Sequence, residues 1–212
     1  MIKLSFKKES ILRKKPAEQR KGDFVETFTG RQFWPLDPRP EDVCIEDIAH
    51  SLSMQCRFNG HCSRFYSVAE HSIIVAKELG IMGYGSHMRL YGLLHDAAEA
   101  YCCDIPRPLK SLLVGYKEME TKIQDVIYAA LSLFGPFIDE QKTVKDVDDA
   151  LLRYEGRELM PNKNGWAGTK FKYWVPESLK CDRSVRELGL IPTIAENKFI
   201  QMYNKLIKDL EG

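Results

Sequence analysis

The sequence contains no hydrophobic run long enough to cross a membrane. Its longest nearly unbroken apolar stretch, residues 126–138, is interrupted by Ser132, Gly135 and Pro136, whereas a transmembrane helix needs about 20 apolar residues. The first residues include several lysines with no apolar segment behind them, which is not the pattern of a secretion signal. We therefore expect no association with a membrane.

An excess of charge of one sign is also missing. The 212 residues include 31 Lys and Arg against 30 Asp and Glu, so we expect no stable complex with nucleic acid. One segment departs from this balance: residues 1–22 carry eight basic side chains and two glutamates. We interpret residues 1–28 as a basic, solvated extension of a single domain, residues 29–212. An arm that binds polyphosphate or nucleic acid is the alternative.

Paired-cysteine motifs are absent as well. None of the six cysteines lies in a CxxC pair, and Cys102 and Cys103 are adjacent. This spacing does not indicate a zinc ribbon, and a disulfide scaffold is not expected in a chain of this length with 44% hydrophobic residues. Reduced thiols in a cytoplasmic protein are the interpretation that we adopt.

The sequence has no β-type alternation of useful length and no internal repeat. Three prolines within residues 29–40 rule out a helix there and predict an extended strap. Beyond it, helical spacing continues almost to the end of the chain, and a loop with Trp166 and Trp174 precedes the last helix. The predicted helices cover about residues 45–56, 67–80, 86–102, 109–134 and 140–160, and one that begins near Pro192 and directs Ile194, Met202, Leu206 and Leu210 inward. The fold class predicted is all-α, a compact helical bundle.

Histidine lies on the apolar face of one predicted helix. Ser67 and Glu70 form a capping box that marks the start of this helix. His71 then shares three- and four-residue spacing with Val68 and Val75, so we expect it to face the core. A single histidine in such a position is usually a hydrogen-bonded core residue, and it indicates a ligand only in combination with others.

Further ionisable residues fall on inward faces of the following helices. His95 and Asp96 are adjacent, and Glu99 follows His95 by four residues, which predicts the same helix face. Asp148 shares one side of its helix with Leu151. Burying so many ionisable groups is costly unless a partner compensates them, and a divalent cation does so. Two imidazoles and two carboxylates suit Zn, Fe, Mn, Co or Ni.

The order His71, His95-Asp96 and Asp148 on successive helices resembles the HD-domain phosphohydrolases. The segment from His95 to Lys110 is similar to the HD-x-x-E and D-x-P-x-P-x-K motifs of the five-prime deoxynucleotidase branch. Upstream, residues 47–57 and 65–71 resemble a phage-type subgroup that includes dATP triphosphohydrolases. The resemblance covers about residues 29–161, and it implies a helical bundle of the HD-domain type.

The resemblance implies a role for each matching residue. His71, His95, Asp96 and Asp148 would bind the catalytic metal, with additional Mg or Co near the phosphates. The proposed catalytic carboxylates are Glu99, which would orient or deprotonate the attacking water, and Asp104. The substrate-binding candidates are Arg57 for phosphate, Phe58 for the base, Lys110 and His61. Lys110 is interpreted as a phosphate ligand or a solvated side chain, and His61 as a contact to phosphate or sugar or as a loop cap. Phe58 stands where this branch often has Trp, which puts the base selectivity in doubt.

The expected activity is metal-dependent hydrolysis of 5′-deoxynucleotides, with dATP triphosphohydrolase as the preferred form. The alternatives are a 5′-deoxynucleotidase acting on monophosphates, the weaker possibility of guanosine alarmone hydrolysis, and, from another class, a degenerate HD fold that serves as a binding module. We expect the protein to be a homo-oligomer of the cytoplasm, or of the host cytoplasm if a phage encodes it.

Overall fold

The computed structural model describes residues 19–166 and 188–212, and helices dominate these ranges. The predicted all-α bundle is confirmed. Strands β1 (Val25–Glu26) and β2 (Gln32–Phe33) form a short antiparallel hairpin ahead of the helices. The helices are α1 (Ile45–Met54), α2 (Val68–Ile81), α3 (Ser86–Leu94), α4 (Glu99–Cys102), α5 (Arg107–Lys110), α6 (Tyr116–Ala130), α7 (Ile138–Leu159) and α8 (Pro192–Glu211).

Helix α2 is the centre of the bundle. Its start is the predicted one, since the Ser67 hydroxyl accepts a hydrogen bond from the Glu70 amide at 3.1 Å. Helices α1, α3, α7 and α8 pack around it, and nearly every residue from Val68 to Leu79 is buried. Because α2 has no solvent face over this range, its polar side chains, including His71, must find partners inside the protein.

The hairpin contacts two helices: Thr27 in its turn donates a hydrogen bond to Asp47 of α1 at 2.9 Å, and Phe33 reaches α4. Val25 pairs with Phe33 across the two strands, and the buried Phe33 ring stacks on Tyr101 with centroids 3.7 Å apart. Within residues 19–28 of the predicted basic extension, most side chains are exposed, but Arg20 forms ion pairs with Asp37 and Asp42 of the domain. Residues 1–18, which carry most of its basic side chains, lie outside the described residues, as does Trp174 of the predicted loop.

The predicted continuous helix over residues 86–102 is wrong. Helix α3 ends at Leu94, and residues 95–98 form tight turns with hydrogen bonds three residues apart, including Ala97 N–H to Leu94 O at 3.0 Å and Glu99 N–H to Asp96 O at 3.0 Å. The i, i+4 spacing of His95 and Glu99 therefore does not belong to one regular α-helix. Sequence periodicity did not reveal the interruption because the side chains around it are still buried.

Two further expectations need correction. The predicted helix over 109–134 is divided into α5 and α6, with Gly115 at φ +79° between them, a conformation that glycine adopts without strain. On α8, Leu206 is fully buried, but Ile194 and Leu210 are 41% and 46% exposed. Ala195 and Phe199 occupy the inward positions of its first turns instead. Within the described ranges, no helix combines the length and apolar character that a membrane span requires.

Candidate metal centre

Four predicted ligand residues converge at the middle of the bundle. The Nε2 atoms of His71 and His95 are 3.3 Å apart. Asp96 Oδ2 lies 3.1 Å from His95 Nε2, and Asp148 Oδ1 lies 3.2 Å from His71 Nε2. Helix α2 supplies the first histidine, the turn after α3 supplies His95 and Asp96, and α7 supplies Asp148. Residues separated by up to 77 positions in the chain (148 minus 71) thus present their polar atoms to one point.

The hydrogen bond at Nδ1 of each imidazole determines the tautomer of the ring and thus whether Nε2 has a free lone pair. His71 Nδ1 lies 2.6 Å from Glu155 Oε1, and His95 Nδ1 lies 2.9 Å from the Gly92 carbonyl oxygen. A carbonyl oxygen and a carboxylate only accept hydrogen bonds, so each Nδ1 carries the hydrogen and donates it. In the neutral rings both Nε2 atoms then have lone pairs that face each other, and only a proton or a cation between them removes the repulsion.

The spacing of His71, His95 and Asp96 fits one metal ion, since a ligand atom of each lies within 4.8 Å of the other two. Asp148 is not part of this tight group, although its Oδ1 approaches His71 Nε2. Two ligand atoms that bind a transition metal at about 2.1 Å, at right or tetrahedral angles, lie about 3.0–3.4 Å apart. The three shortest separations, 3.1, 3.2 and 3.3 Å, fall in this range. The distances from His71 Nε2 to Asp96 Oδ2 and from His95 Nε2 to Asp148 Oδ1 are longer, at 3.8 and 4.0 Å. Two imidazoles and two carboxylates are a donor set for Zn, Fe, Mn, Co or Ni.

The electrostatics of the cluster favour positive charge at its centre. Burial lowers the pKa of His71, but the nearby Glu155 and Asp148 carboxylates outweigh it and raise this pKa to about 9. Conversely, burial raises the pKa of Asp96 and of Asp148, yet His95 and His71 respectively bring both values below the ordinary range. A divalent cation supplies the positive charge that these groups favour.

Two glutamines hold the interrupted segment that carries His95 and Asp96. Gln124 of α6 donates to the Leu94 carbonyl at 2.8 Å and accepts from the Ala98 amide at 3.0 Å, on either side of the interruption. Gln55 donates to the Glu99 carbonyl at 2.9 Å and accepts from the Asp104 amide at 2.9 Å. Gln124 satisfies the two backbone groups that a continuous helix would have paired with each other, whereas the Glu99 carbonyl that Gln55 contacts also accepts from the Cys103 amide. Sequence reasoning missed both glutamines, because neither belongs to a motif.

The two predicted catalytic carboxylates are partly desolvated beside the cluster. Glu99 is 5% exposed, and burial, together with the charges of Asp96 and Asp104, raises its pKa well above the usual value. Lys110 Nζ lies 3.4 Å from Glu99 Oε1, while Glu99 Oε2 is buried without a hydrogen-bond partner. Burial also raises the pKa of Asp104, against the effect of Arg57. An unsatisfied buried carboxylate oxygen at this place is suited to a water or a cation.

The predicted phosphate ligand Arg57 is buried and already paired. One guanidinium nitrogen lies 3.2 Å from Glu155 Oε2, and the other lies 3.7 Å from Asp96 Oδ2. Its Nε is buried without a hydrogen-bond partner. The role of Glu155 was missed from the sequence, although its place seven residues after Asp148 puts it two turns along the same side of α7. Arg57 remains a wall of the cavity described next.

Two cavities that share part of their lining lie beside the cluster of His71, His95, Asp96 and Asp148. The α6-side cavity, of about 370 Å³, extends to Tyr91 and Tyr128, and the Arg57-side cavity, of about 400 Å³, extends to Phe58 and Leu152. Each volume lies within the usual range for small-molecule sites. Both cavities are lined by Asp96, Glu99, Lys110, Lys145 and Asp148. A ligand in either cavity would therefore reach the candidate metal centre.

The structure places the two predicted loop residues differently. Phe58 lines the Arg57-side cavity and has φ +56°, an unusual backbone conformation for a residue with a side chain. His61 is exposed in the following turn and lines neither of these cavities. Of the residues predicted to bind substrate, Arg57, Phe58 and Lys110 are thus brought to one cavity, and His61 is not.

Two basic residues near the cluster were missed from the sequence. Lys145 Nζ lies 2.7 Å from Asp148 Oδ2, and Arg107 approaches the same oxygen at 3.2 Å. Both also contact Asp149, and each side chain is 55% exposed. The i, i+3 spacing of Lys145 and Asp148 was a visible signal for one of them. Arg107 offered none, since it reaches α7 from a distant segment.

The protein is thus an all-α bundle with a buried cluster of histidines and carboxylates between two cavities. No family model matches the chain. The chain is 36% identical over 184 residues to the uncharacterized protein YfdR of Escherichia coli (strain K12). This match covers 86% of the chain and 95% of YfdR. It is 34% identical over 138 residues to the uncharacterized protein RCAP_rcc00048 of Rhodobacter capsulatus, covering 62% of this chain and 70% of that protein. The chain belongs to the family of YfdR.

Proposed function

We propose that the protein is a metal-dependent phosphohydrolase of the HD-domain class that acts on 5′-deoxynucleotides. Its preferred reaction would be dATP triphosphohydrolysis, which yields deoxyadenosine and triphosphate. Because deoxynucleotides such as dATP would be the substrates, the proposed location is the cytoplasm, or the host cytoplasm if a phage encodes the protein. The observation that carries the proposal is the 3.3 Å approach of two imidazole Nε2 atoms between two carboxylates, next to cavities of nucleotide size.

The metal-binding residues would be His71, His95, Asp96 and Asp148. A divalent cation held there would polarise a phosphate oxygen and lower the pKa of a water molecule. Glu99 is suited to accept the proton of the attacking water, since its carboxylate lines both cavities and one of its oxygens has no protein partner.

The Arg57-side cavity is the less acidic of the two cavities and therefore the better place for a polyphosphate. Its walls include four basic side chains (Arg57, Arg107, Lys110 and Lys145) against four carboxylates (Asp96, Glu99, Asp104 and Asp148). The α6-side cavity has two basic side chains (Lys110 and Lys145) against five carboxylates (Asp96, Glu99, Glu120, Asp125 and Asp148). A triphosphate carries about twice the charge of a monophosphate and makes better use of four basic groups. The phosphates of the substrate are therefore assigned to the Arg57-side cavity.

The deoxynucleoside is assigned to the apolar wall of the same cavity. Phe58, Ile105, Pro106 and Leu152 form this wall, and an aromatic ring there can stack on a purine. A ribose 2′-hydroxyl pressed against apolar atoms without a partner costs about 1–3 kcal/mol. This cost corresponds to roughly ten- to a hundredfold discrimination against ribonucleotides.

A nucleotide panel tests the proposal. Initial rates would be measured with the four dNTPs, the four dNMPs and ATP, each with Co²⁺ or Mn²⁺, while the released triphosphate and phosphate are separated by ion exchange. The expected result is triphosphate release, fastest from dATP and much slower from ATP. Equal rates on dATP and ATP would contradict the assignment of the sugar. Activity confined to monophosphates would replace the triphosphohydrolase by a 5′-deoxynucleotidase at the same site.

A binding module of the same fold is the alternative from a different class. It would take up metal and nucleotide but release no phosphate from any member of the panel. The presence of Glu99 beside a complete set of four ligand residues argues against it, because a protein that only binds needs no carboxylate next to the attacking water. Nucleotide affinity from calorimetry, measured beside the hydrolysis rates, separates the two functions.

A further inference from the structure

Glu155 of α7 is a fully buried carboxylate that accepts two hydrogen bonds and forms one ion pair. The Tyr66 hydroxyl donates to Oε1 at 2.6 Å, and His71 Nδ1 donates to the same oxygen at 2.6 Å. Arg57 approaches the other oxygen, Oε2, at 3.2 Å. The exposed fraction of Glu155 is 0%. A carboxylate in such surroundings stays charged only because these groups compensate it.

The two oxygens of Glu155 connect the candidate metal ligand to the candidate phosphate ligand. Oε1 accepts a hydrogen bond from His71, whose Nε2 faces the centre of the cluster, and Oε2 forms an ion pair with Arg57 without a hydrogen bond. The connection closes on the other side, since Arg57 lies 3.7 Å from Asp96 Oδ2 and His71 Nε2 lies 3.8 Å from that same oxygen. Glu155, His71, Asp96 and Arg57 thus form a closed ring of polar contacts with distances from 2.6 to 3.8 Å.

We propose that Glu155 is a positioning residue that sets both the metal affinity of His71 and the place of Arg57 at the substrate phosphate. The inference rests on the proposed metal-dependent function of the same site. A carboxylate that accepts the Nδ1 hydrogen orients the ring and increases the basicity of Nε2. Arg57 also lies 3.7 Å from Asp96 Oδ2, and its ion pair with Glu155 offsets part of the positive charge that would compete with a cation for Asp96.

The test measures affinity for Co²⁺ alone, in four variants and without nucleotide. Glu155→Gln keeps the shape of the side chain and removes its charge. Arg57→Met removes the guanidinium but leaves the carboxylate on His71. The double variant removes both, so that no buried unpaired arginine remains to destabilise the fold. Tyr66→Phe is the matched control, because it deletes a hydrogen bond to the same Oε1 without any change of charge.

Glu155→Gln is expected to weaken Co²⁺ binding by about 10- to 100-fold, the usual effect of losing such a supporting carboxylate. The double variant should show a loss of similar size, whereas Arg57→Met should bind Co²⁺ at least as tightly as the wild type. Tyr66→Phe should stay within about threefold of the wild type. Circular dichroism checks that each variant is folded, and the visible absorption of bound Co²⁺ reports a change in ligand geometry that a merely structural role would not cause.

The outcomes distinguish this inference from the proposed function. Equal Co²⁺ affinity in the wild type, Glu155→Gln and the double variant would overturn the role of Glu155 and leave the hydrolase proposal standing. The expected affinity pattern in a protein that hydrolyses no nucleotide would support the role of Glu155 and reject the hydrolase. A wild-type protein that binds no Co²⁺ would overturn both.

Discussion

His71 Nε2 and His95 Nε2 lie 3.3 Å apart, while the Nδ1 atom of each ring is committed to an acceptor elsewhere. This arrangement is unfavourable for two neutral imidazoles and favourable around a cation. It comes about because α2, the turn after α3, and α7 present their polar side chains to one point in an otherwise apolar bundle. The following predictions test what that point does.

Replacing a metal-binding residue should remove both metal and activity. His95→Ala or Asp96→Ala deletes one of the converging atoms, so the purified variant should contain little metal and release no phosphate from dATP. The helical circular dichroism spectrum should persist, because neither side chain is part of the apolar core. His50→Ala is the control, since His50 pairs with Glu196 outside the cluster. Normal turnover by His95→Ala would reject the assignment of the metal site.

Glu99→Gln should separate metal binding from catalysis. The amide has nearly the same shape but cannot accept the proton of the attacking water, so kcat should fall by roughly a hundredfold or more while the metal content stays unchanged. Glu118→Gln on the exposed face of α6 is the matched control. If Glu99→Gln hydrolyses dATP at the wild-type rate, Glu99 does not act on the attacking water.

Lys145→Met should weaken the binding of triphosphates more than that of monophosphates. A hydrogen bond from a charged group contributes about 1.5 kcal/mol or more, so KM for dATP should rise about tenfold at low salt. The effect should shrink as salt increases, because this side chain is half exposed. Lys142→Met, an exposed position one turn earlier on α7, should leave KM unchanged. An equal rise for dATP and dAMP would show that Lys145 acts through Asp148 rather than on the distal phosphates.

Phe58→Ala should reduce the preference for deoxynucleotides. Removing the ring opens the apolar wall of the Arg57-side cavity, so a 2′-hydroxyl could be solvated there and the ratio of kcat/KM for dATP over ATP should fall. Phe65→Ala serves as a control for the loss of an aromatic ring, since Phe65 is 36% exposed and does not line this cavity. An unchanged ratio would place sugar selection elsewhere in the cavity.

Much of the helical core could be predicted from sequence, for local reasons. The capping box at Ser67 and the spacing of His71 are consequences of helix geometry, which repeats every 3.6 residues. The interruption at residues 95–98 could not be predicted, because the side chain that satisfies its free backbone groups, Gln124, lies 26 residues beyond Ala98. Periodicity describes which face is buried and carries no information on whether the backbone continues regularly.

In the candidate site too, some residues could be predicted from the sequence and others could not. The resemblance pointed to residues that carry chemistry, and the structure brings most of them together, with His61 as the exception. The supporting roles of Glu155 and Arg107 were not identified. For Glu155 the reason is that a buried glutamate on an apolar helix face looks the same in sequence whether its partner is a histidine or an arginine. Its partners are 84 and 98 residues away along the chain (155 minus 71 and 155 minus 57).

Triphosphate release from dATP before and after metal removal tests the central claim most directly. The protein would be treated with a chelator, desalted, and assayed with increasing Co²⁺. We expect no hydrolysis by the metal-free protein and recovery of activity as Co²⁺ fills the site of His71, His95, Asp96 and Asp148. Undiminished hydrolysis by protein that contains no metal, or no hydrolysis at any Co²⁺ concentration, would contradict it.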